Sequence, residues 1–177
     1  KSKSLLKNNT LVVTQMSNYG LEKKMNENGI QVIKTGVGDK YVVEEMRKGA
    51  YNLGGEQSGH IIFLDHSTTG DGCIAALNVL SVLCESGKKM SELNDVFEDM
   101  PQVLINCRVK RRAELHEIKG YEVLLKEIEA KLKGRGRVFI RFSGTEPVIR
   151  VLVEGPDKYE ISQYAESLAH LLEKELS

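Results

Sequence analysis

The stretch from Arg141 to Arg150, reading RFSGTEPVIR, constrains the fold more than any other part of this chain. Before it, Arg137 to Phe142 alternates charged and apolar residues with a β-branched and aromatic bias, the pattern of a strand with one buried face. After it, Val148 to Val153 reads as a second apolar strand. Between them Ser143, Gly144 and Thr145 supply two hydroxyls and one position without Cβ, followed by Glu146-Pro147. Two strands therefore meet at a hydroxyl-rich hairpin tip. Arg141 enters that tip and Arg150 leaves it, so guanidinium forks, hydroxyls and backbone N–H groups can converge on one small volume suited to a tetrahedral dianion. The same letters also describe an ordinary solvated hairpin loop, and composition alone does not separate the two.

Asn52 to Leu64, NLGGEQSGHIIFL, is the second informative stretch. Two glycines bring the backbone close to something, and Glu56, Ser58 and His60 alternate onto one side of an extended segment that continues into a buried strand at Ile61 to Leu64. Acid, hydroxyl and imidazole on one face suit sugar-hydroxyl recognition and proton handling, and they equally suit a Glu-His pair closing a strand end. A Ser-His-Asp hydrolase is poorly supported, because no strand-to-helix nucleophile elbow surrounds Ser58. Thr35 to Lys40, TGVGDK, reads as a glycine-punctuated turn with Asp39 capping a helix over Tyr41 to Lys48; it lacks the spacing of a nucleotide P-loop.

Charge and length bound what these motifs can serve. Lys+Arg and Asp+Glu number 25 each over 177 residues, so no global field favours nucleic acid or an anionic membrane, and any anion site is local. The basic cluster Lys110-Arg111-Arg112 has no interleaved aromatics and reads as a solvated turn. No apolar run approaches the roughly 20 residues that span a bilayer, and Lys1 to Asn9 is too polar for a signal peptide. Cys73, Cys84 and Cys107 each sit in an apolar pattern and read as reduced core residues of a cytoplasmic protein. His66, His116 and His170 read as surface or structural.

Taken in order, Thr10 to Gln15 is a strand, Asn18-Tyr19-Gly20 starts an amphipathic helix ending at Gly29, and Ile30 to Lys34 is a parallel strand: a β-α-β unit of an α/β domain. That domain opens directly on a strand, which implies that its first elements are lacking. Asp71 caps a helix from Cys73 to Ser86 whose Ile74, Leu77, Val79, Leu80, Val82 and Leu83 read mostly as core, and Ser91 caps a short helix over Met90 to Phe97. Pro101 starts fresh material, which divides the chain into 1–99 and 100–177. The second part runs strand (Val103 to Lys110), helix (Gly120 to Leu132), the hairpin, and a closing helix (Asp157 to Leu176), an α+β domain with an antiparallel sheet covered by two helices.

RFSGTEPVIR resembles the phosphate-binding loop of the α-D-phosphohexomutases, usually Arg-Pro-Ser-Gly-Thr-Glu-Pro followed by an Arg, with Phe142 standing where that family has Pro. GGEQSGH resembles the family's sugar-binding loop, and its Gln, with HIIFLD and TTGDG after it, is similar to the bacterial phosphoglucosamine branch. That branch shows Val-Gly-Asp-Arg where this chain has Lys40. The resemblance implies an incomplete third domain of a phosphohexomutase, layered α/β/α, followed by the whole fourth, a small antiparallel sheet of TATA-box-binding-protein-like form. It implies an isomerase that interconverts glucosamine 6-phosphate and glucosamine 1-phosphate through a phosphoserine and a bisphosphorylated sugar, on the way to peptidoglycan precursors. By that resemblance Glu56 and Ser58 meet the sugar hydroxyls, with Lys40 facing the same cleft. His60 is the proton acceptor or phosphate neighbour, and Arg141, Ser143, Gly144, Thr145 and Arg150 hold the phosphate that is not reacting.

The family's Ser-His-Asn nucleophile loop and its Asp-Gly-Asp-x-Asp-Arg magnesium loop are absent from this chain. Gly70-Asp71-Gly72 has one carboxylate where several are needed, so Mg2+ belongs with the missing N-terminal domains and the fragment is expected to be inactive alone. A hinge near Pro101 would let the phosphate-holding part open. The resemblance leaves room for a homodimer, for a sister enzyme acting on glucose or mannose phosphates, and for a non-catalytic module that binds phosphosugars or a protein.

Overall fold

The computed structural model describes residues 5–94, 96–144 and 146–177. The chain divides into two compact units, Lys1–Asp99 and Met100–Ser177.

In the first unit, β1 (Thr10–Thr14), α1 (Tyr19–Glu27), β2 (Gln31–Thr35), α2 (Asp39–Lys48), β3 (Leu53–Gly55) and β4 (Ile61–Phe63) are followed by the helices α3 (Gly72–Ser86) and α4 (Met90–Asn94). The sheet order is β2-β1-β3-β4; β1 pairs in parallel with both β2 and β3, and β4 is antiparallel to β3. The sheet is mixed because Asn52 to Leu64 is no single extended segment: it folds back on itself as a hairpin whose turn lies at 56–60. Each β-α-β crossover needs a helix long enough to return the chain, and α1 and α2 supply it.

The core of this unit is small. Val12 and Ile62 from the sheet meet Val42 and Met46 from α2, all fully buried. Gly54 lies beneath that contact, where a Cβ would come 2.5 Å from the Met46 sulfur and 2.8 Å from Val42. Gly55 faces the hairpin, where a Cβ would sit 2.7 Å from the His60 carbonyl oxygen. The close approach expected of the Gly-Gly pair is thus an approach to this protein's own chain.

Several local expectations need correction. Asp39 is the first residue of α2 rather than its cap: Gly38 takes the N-cap position, and Asp39 accepts a hydrogen bond from the Lys40 N–H at 2.8 Å. In α4, Ser91 lies inside the helix, and the Glu92 carboxylate reaches back to the Lys89 N–H at 2.8 Å. Of Ile61 to Leu64 only Ile62 is buried. Helix α3 has its expected cap, with Asp71 accepting from the N–H groups of Cys73 and Ile74 at 2.8 and 3.0 Å, but none of its residues is buried, and Leu77, Leu80 and Val82 are each more than half exposed. Cys73 and Cys84 lie on the same exposed helix, so only Cys107 is a core cysteine.

The second unit contains β5 (Gln102–Arg108), α5 (Tyr121–Leu132), β6 (Arg137–Phe142), β7 (Val148–Glu154) and α6 (Lys158–Leu176). Its sheet is antiparallel in the order β5-β7-β6. Strict alternation sends Cys107, Ile149, Val151 and Val153 to one face, where they pack with Ile128, Ile161, Leu168 and Leu172 from the two helices. Asp157 caps α6 by accepting from Tyr159 and Glu160. On the other face Arg137 pairs with the fully buried Glu154 directly across the strands, which leaves neither charge without a partner. Pro101 is tied to this sheet, its carbonyl accepting from Gly155 at 3.1 Å. The expected fold class, a layered α/β domain followed by a small α+β domain, is the observed one.

Candidate functional site

Each unit carries a candidate site. In the first, β1, β2 and β3 are parallel, so their carboxyl ends lie along one edge of the sheet. β1 connects through α1 to β2 on one side, and β2 connects through α2 back across β1 to β3 on the other. Open α/β sheets bind ligands at such a reversal, outside the strand ends. The segment bearing Lys40 follows β2, and the turn bearing Glu56, Ser58 and His60 follows β3.

Within that turn the three expected side chains do meet. The turn is closed by the Glu56 N–H donating to the His60 carbonyl at 3.0 Å and the Gly59 N–H donating to the Glu56 carbonyl at 3.1 Å. Ser58 Oγ lies 2.6 Å from Glu56 Oε1 and 2.8 Å from His60 Nδ1, and Nδ1 lies 3.1 Å from Glu56 Oε1. The proton inventory assigns the tautomer. An ionised carboxylate only accepts, so the single Ser58 hydroxyl hydrogen goes to Glu56, and Ser58 can then only accept from Nδ1–H. In the neutral imidazole with its proton on Nδ1, the lone pair is on Nε2. The imidazole is about half exposed, whereas the Glu56 side chain is only 13% exposed. A shielded acid thus orients an accessible base. Lys40 is placed differently: its ammonium lies 4.6 Å from the centroid of the Tyr41 ring.

The second site is the hairpin tip. Arg141 and Arg150 are opposite one another across β6 and β7, and Asn106 on β5 is opposite Arg150, so the three form a row across the sheet face that the helices leave uncovered. Like charges directly opposite on antiparallel strands are destabilising in the absence of a counter-charge. Burial, and then the Arg150 guanidinium beside it, push Arg141 below the ordinary arginine range. The Nε atoms of Arg141 and Arg150 are shielded from solvent without a hydrogen-bond partner among the described residues. Arg150 Nη2 donates to Glu146 Oε2 at 2.9 Å. Two crowded cations with unused donors are the electrostatic outline of an anion site.

Ser143 serves the shape of the loop. Its N–H donates to the Val148 carbonyl at 2.8 Å, its hydroxyl accepts from the Glu146 N–H at 3.3 Å, and it is 3% exposed. Gly144 is exposed, with nothing within 4 Å of where a Cβ would lie. Thr145 lies outside the described residues.

Residue-by-residue reading missed two groups here. Asn106 carries no local signal, because only strand pairing places it beside Arg150. The cluster Lys110-Arg111-Arg112 was visible, but it is more than a solvated turn: Arg111 Nη2 donates to the Glu175 carbonyl at 2.6 Å, and Arg112 Nη2 donates to the Ser143 carbonyl.

Comparison with known proteins agrees with this architecture. Residues 1–100 match the model for the phosphoglucomutase/phosphomannomutase α/β/α domain III, and residues 104–171 match the C-terminal domain of the same family. The chain belongs to the phosphoglucomutase/phosphomannomutase family. It is 73% identical over its full length to a phosphoglucosamine mutase of Bdellovibrio bacteriovorus, covering 39% of that protein. It is 54% identical over 97% of its length to a phosphoglucosamine mutase of Geobacter metallireducens, covering 38% of that protein. The chain therefore spans less than half the length of these relatives and corresponds to their C-terminal part. Its fold is similar to that of Aspergillus fumigatus N-acetylphosphoglucosamine mutase, crystallised with GlcNAc-6P and magnesium, with a TM-score of 0.76 at 19% identity over 97% of this chain and 40% of that one.

Proposed function

We propose that this chain is the substrate-holding C-terminal part of a phosphoglucosamine mutase, an isomerase interconverting glucosamine 6-phosphate and glucosamine 1-phosphate. The observation that carries the reading is the in-register pair Arg141 and Arg150 at the Ser143-Gly144 tip, since both guanidiniums keep an unused Nε donor even with Glu146 paired to Arg150, and a bound anion would take them. In that role the hairpin holds the phosphate that is not reacting, with Thr145 and the loop N–H groups as further donors. Glu56 and Ser58 meet the sugar hydroxyls. His60, oriented through Nδ1, presents Nε2 to a sugar hydroxyl or its phosphate, and Lys40 adds a cation at the same sheet edge.

Phosphoryl transfer falls to residues outside this chain. The Aspergillus relative binds magnesium, but the one carboxylate of Gly70-Asp71-Gly72 here is committed to capping α3. Among the described residues no group of three or more His, Cys, Asp or Glu side chains could hold a metal ion. The residues present do not fit magnesium, and the ion belongs with the phosphoserine in the rest of the whole enzyme. Among the described residues no helix is long and apolar enough to cross a membrane, in keeping with a cytoplasmic enzyme of amino-sugar metabolism.

A calorimetric panel tests the reading. Glucosamine 6-phosphate is expected to bind the chain more tightly than glucose 6-phosphate or mannose 6-phosphate, and the chain alone is expected to show no mutase turnover. Preference for a glucose or mannose phosphate would point to a sister enzyme. Failure of all three sugars to bind, or turnover by a sample free of host enzyme, contradicts the assignment.

A further inference from the structure

The basic cluster after β5 lies beside the phosphate hairpin, and the pairing of the strands explains how. Beyond Arg108, the Val109 N–H donates to the Pro147 carbonyl at 3.0 Å, which continues β5 along the β7 side of the hairpin tip. The N–H groups of Lys110 and Arg111 then donate to the Leu176 carbonyl, at 2.9 and 3.4 Å. Arg111 adds its hydrogen bond to the Glu175 carbonyl. The segment is pinned to the end of α6, and Arg112 emerges from it toward the tip. A cleft of about 280 Å³ separates the cluster from the loop, lined by Lys110, Arg111 and Arg112 on one wall and Gly144, Glu146 and Pro147 on the other.

Arg112 bridges that separation by two contacts. Its Nη2 donates to the Ser143 carbonyl, and its guanidinium lies 5.8 Å from the centroid of the Phe142 ring, within cation–π range. Residues 142 and 143 are the two that lead into the loop, and 142 is where this chain departs from the Arg-Pro-Ser-Gly-Thr-Glu-Pro pattern. Proline there would limit the backbone by fixing φ; phenylalanine leaves φ free. We propose that Arg112 is a positioning residue for the phosphate loop, clamping the Ser143 carbonyl and covering Phe142 so that the loop is held without the proline. The inference rests on the reading of this hairpin as a phosphate site.

Strand geometry makes the exchange of one device for the other testable. Because Ser143 donates to Val148, alternation along the ladder makes Phe142 and Ile149 a non-hydrogen-bonded pair, and β6 is an edge strand. A proline at 142 therefore removes no ladder hydrogen bond. Four forms of the chain suffice: wild type, Arg112→Ala, Phe142→Pro and the double variant, with Arg112→Lys as a fifth that keeps charge without the planar fork. Two readouts are taken: amide exchange at Gly144 and Glu146 without ligand, and affinity for glucosamine 6-phosphate.

Arg112→Ala is expected to speed exchange at both amides by several-fold and to weaken glucosamine 6-phosphate binding by about fivefold or more, with the melting temperature of the unit little changed. Arg112→Lys is expected to recover little of either. In the Phe142→Pro background the same Arg112→Ala change is expected to cost less than twofold. Unchanged exchange in Arg112→Ala, or an equal loss of affinity with and without the proline, overturns the inference. Absence of binding by the wild type overturns the phosphate reading, and the ligand-free exchange readout tells that failure apart from failure of the clamp.

Discussion

At the scale of single residues, burial decides chemistry that letters leave open. The three cysteines look alike in sequence, each among apolar neighbours, yet Cys73 and Cys84 are exposed while Cys107 is fully buried. Burial, and then the nearby Glu173 carboxylate, push the Cys107 thiol up to about 11. The thiolate is the reactive form. At pH 8 an alkylating reagent is therefore expected to modify Cys73 and Cys84 in the native chain and Cys107 only after unfolding, as read by peptide mass mapping; early labelling of Cys107 contradicts the packing of β5 against α6. The candidate site shows the same division. Glu56, Ser58 and His60 were legible because residue type at close spacing is a local property. Arg112 and Asn106 were not, because their neighbours Ser143 and Arg150 lie 31 and 44 positions along the chain and meet them only through strand pairing.

At the scale of elements, one of the three caps expected from sequence holds, since Asp39 and Ser91 lie inside the helices they were expected to cap. Asp71 caps the helix expected of it, and Asp157, read from sequence only as the start of the closing helix, caps α6. Burial of a helix depends on what lies over it, and there the reading of α3 failed. Its apolar residues are spread around the axis, so the helix has no polar side to mark which face is solvated, and Leu77 and Leu80 stand 65% and 53% exposed. The hairpin at 56–60 was missed for a related reason: alternation places Glu56, Ser58 and His60 on one side of a strand, and a tight turn gathers them equally well. Substitution separates buried from exposed positions. Met46→Ala is expected to destabilise the first unit by about 2–5 kcal/mol, since Met46 fills the contact over Gly54. Leu80→Gln is expected to change stability by no more than about 0.5 kcal/mol. Denaturant titration measures both, and a large loss from Leu80→Gln means that α3 is packed after all.

At the scale of the whole molecule, the order of the motifs carried more than any of them alone. A hydroxyl-rich turn between arginines fits many loops, but the same turn following GGEQSGH and TTGDG along one chain fits one family, and both family domains match in that order. The functional claim comes to rest on one pair of side chains, Arg141 and Arg150, crowded together on an open sheet face. Calorimetric titration of the chain with glucosamine 6-phosphate, wild type against Arg150→Ala, tests that claim most directly. The predicted result is weak binding by the wild type and a loss of about 1.5–3 kcal/mol in the variant, the usual range for a hydrogen bond to a charged group. Equal affinity in the two proteins, with both shown to be folded, would contradict it.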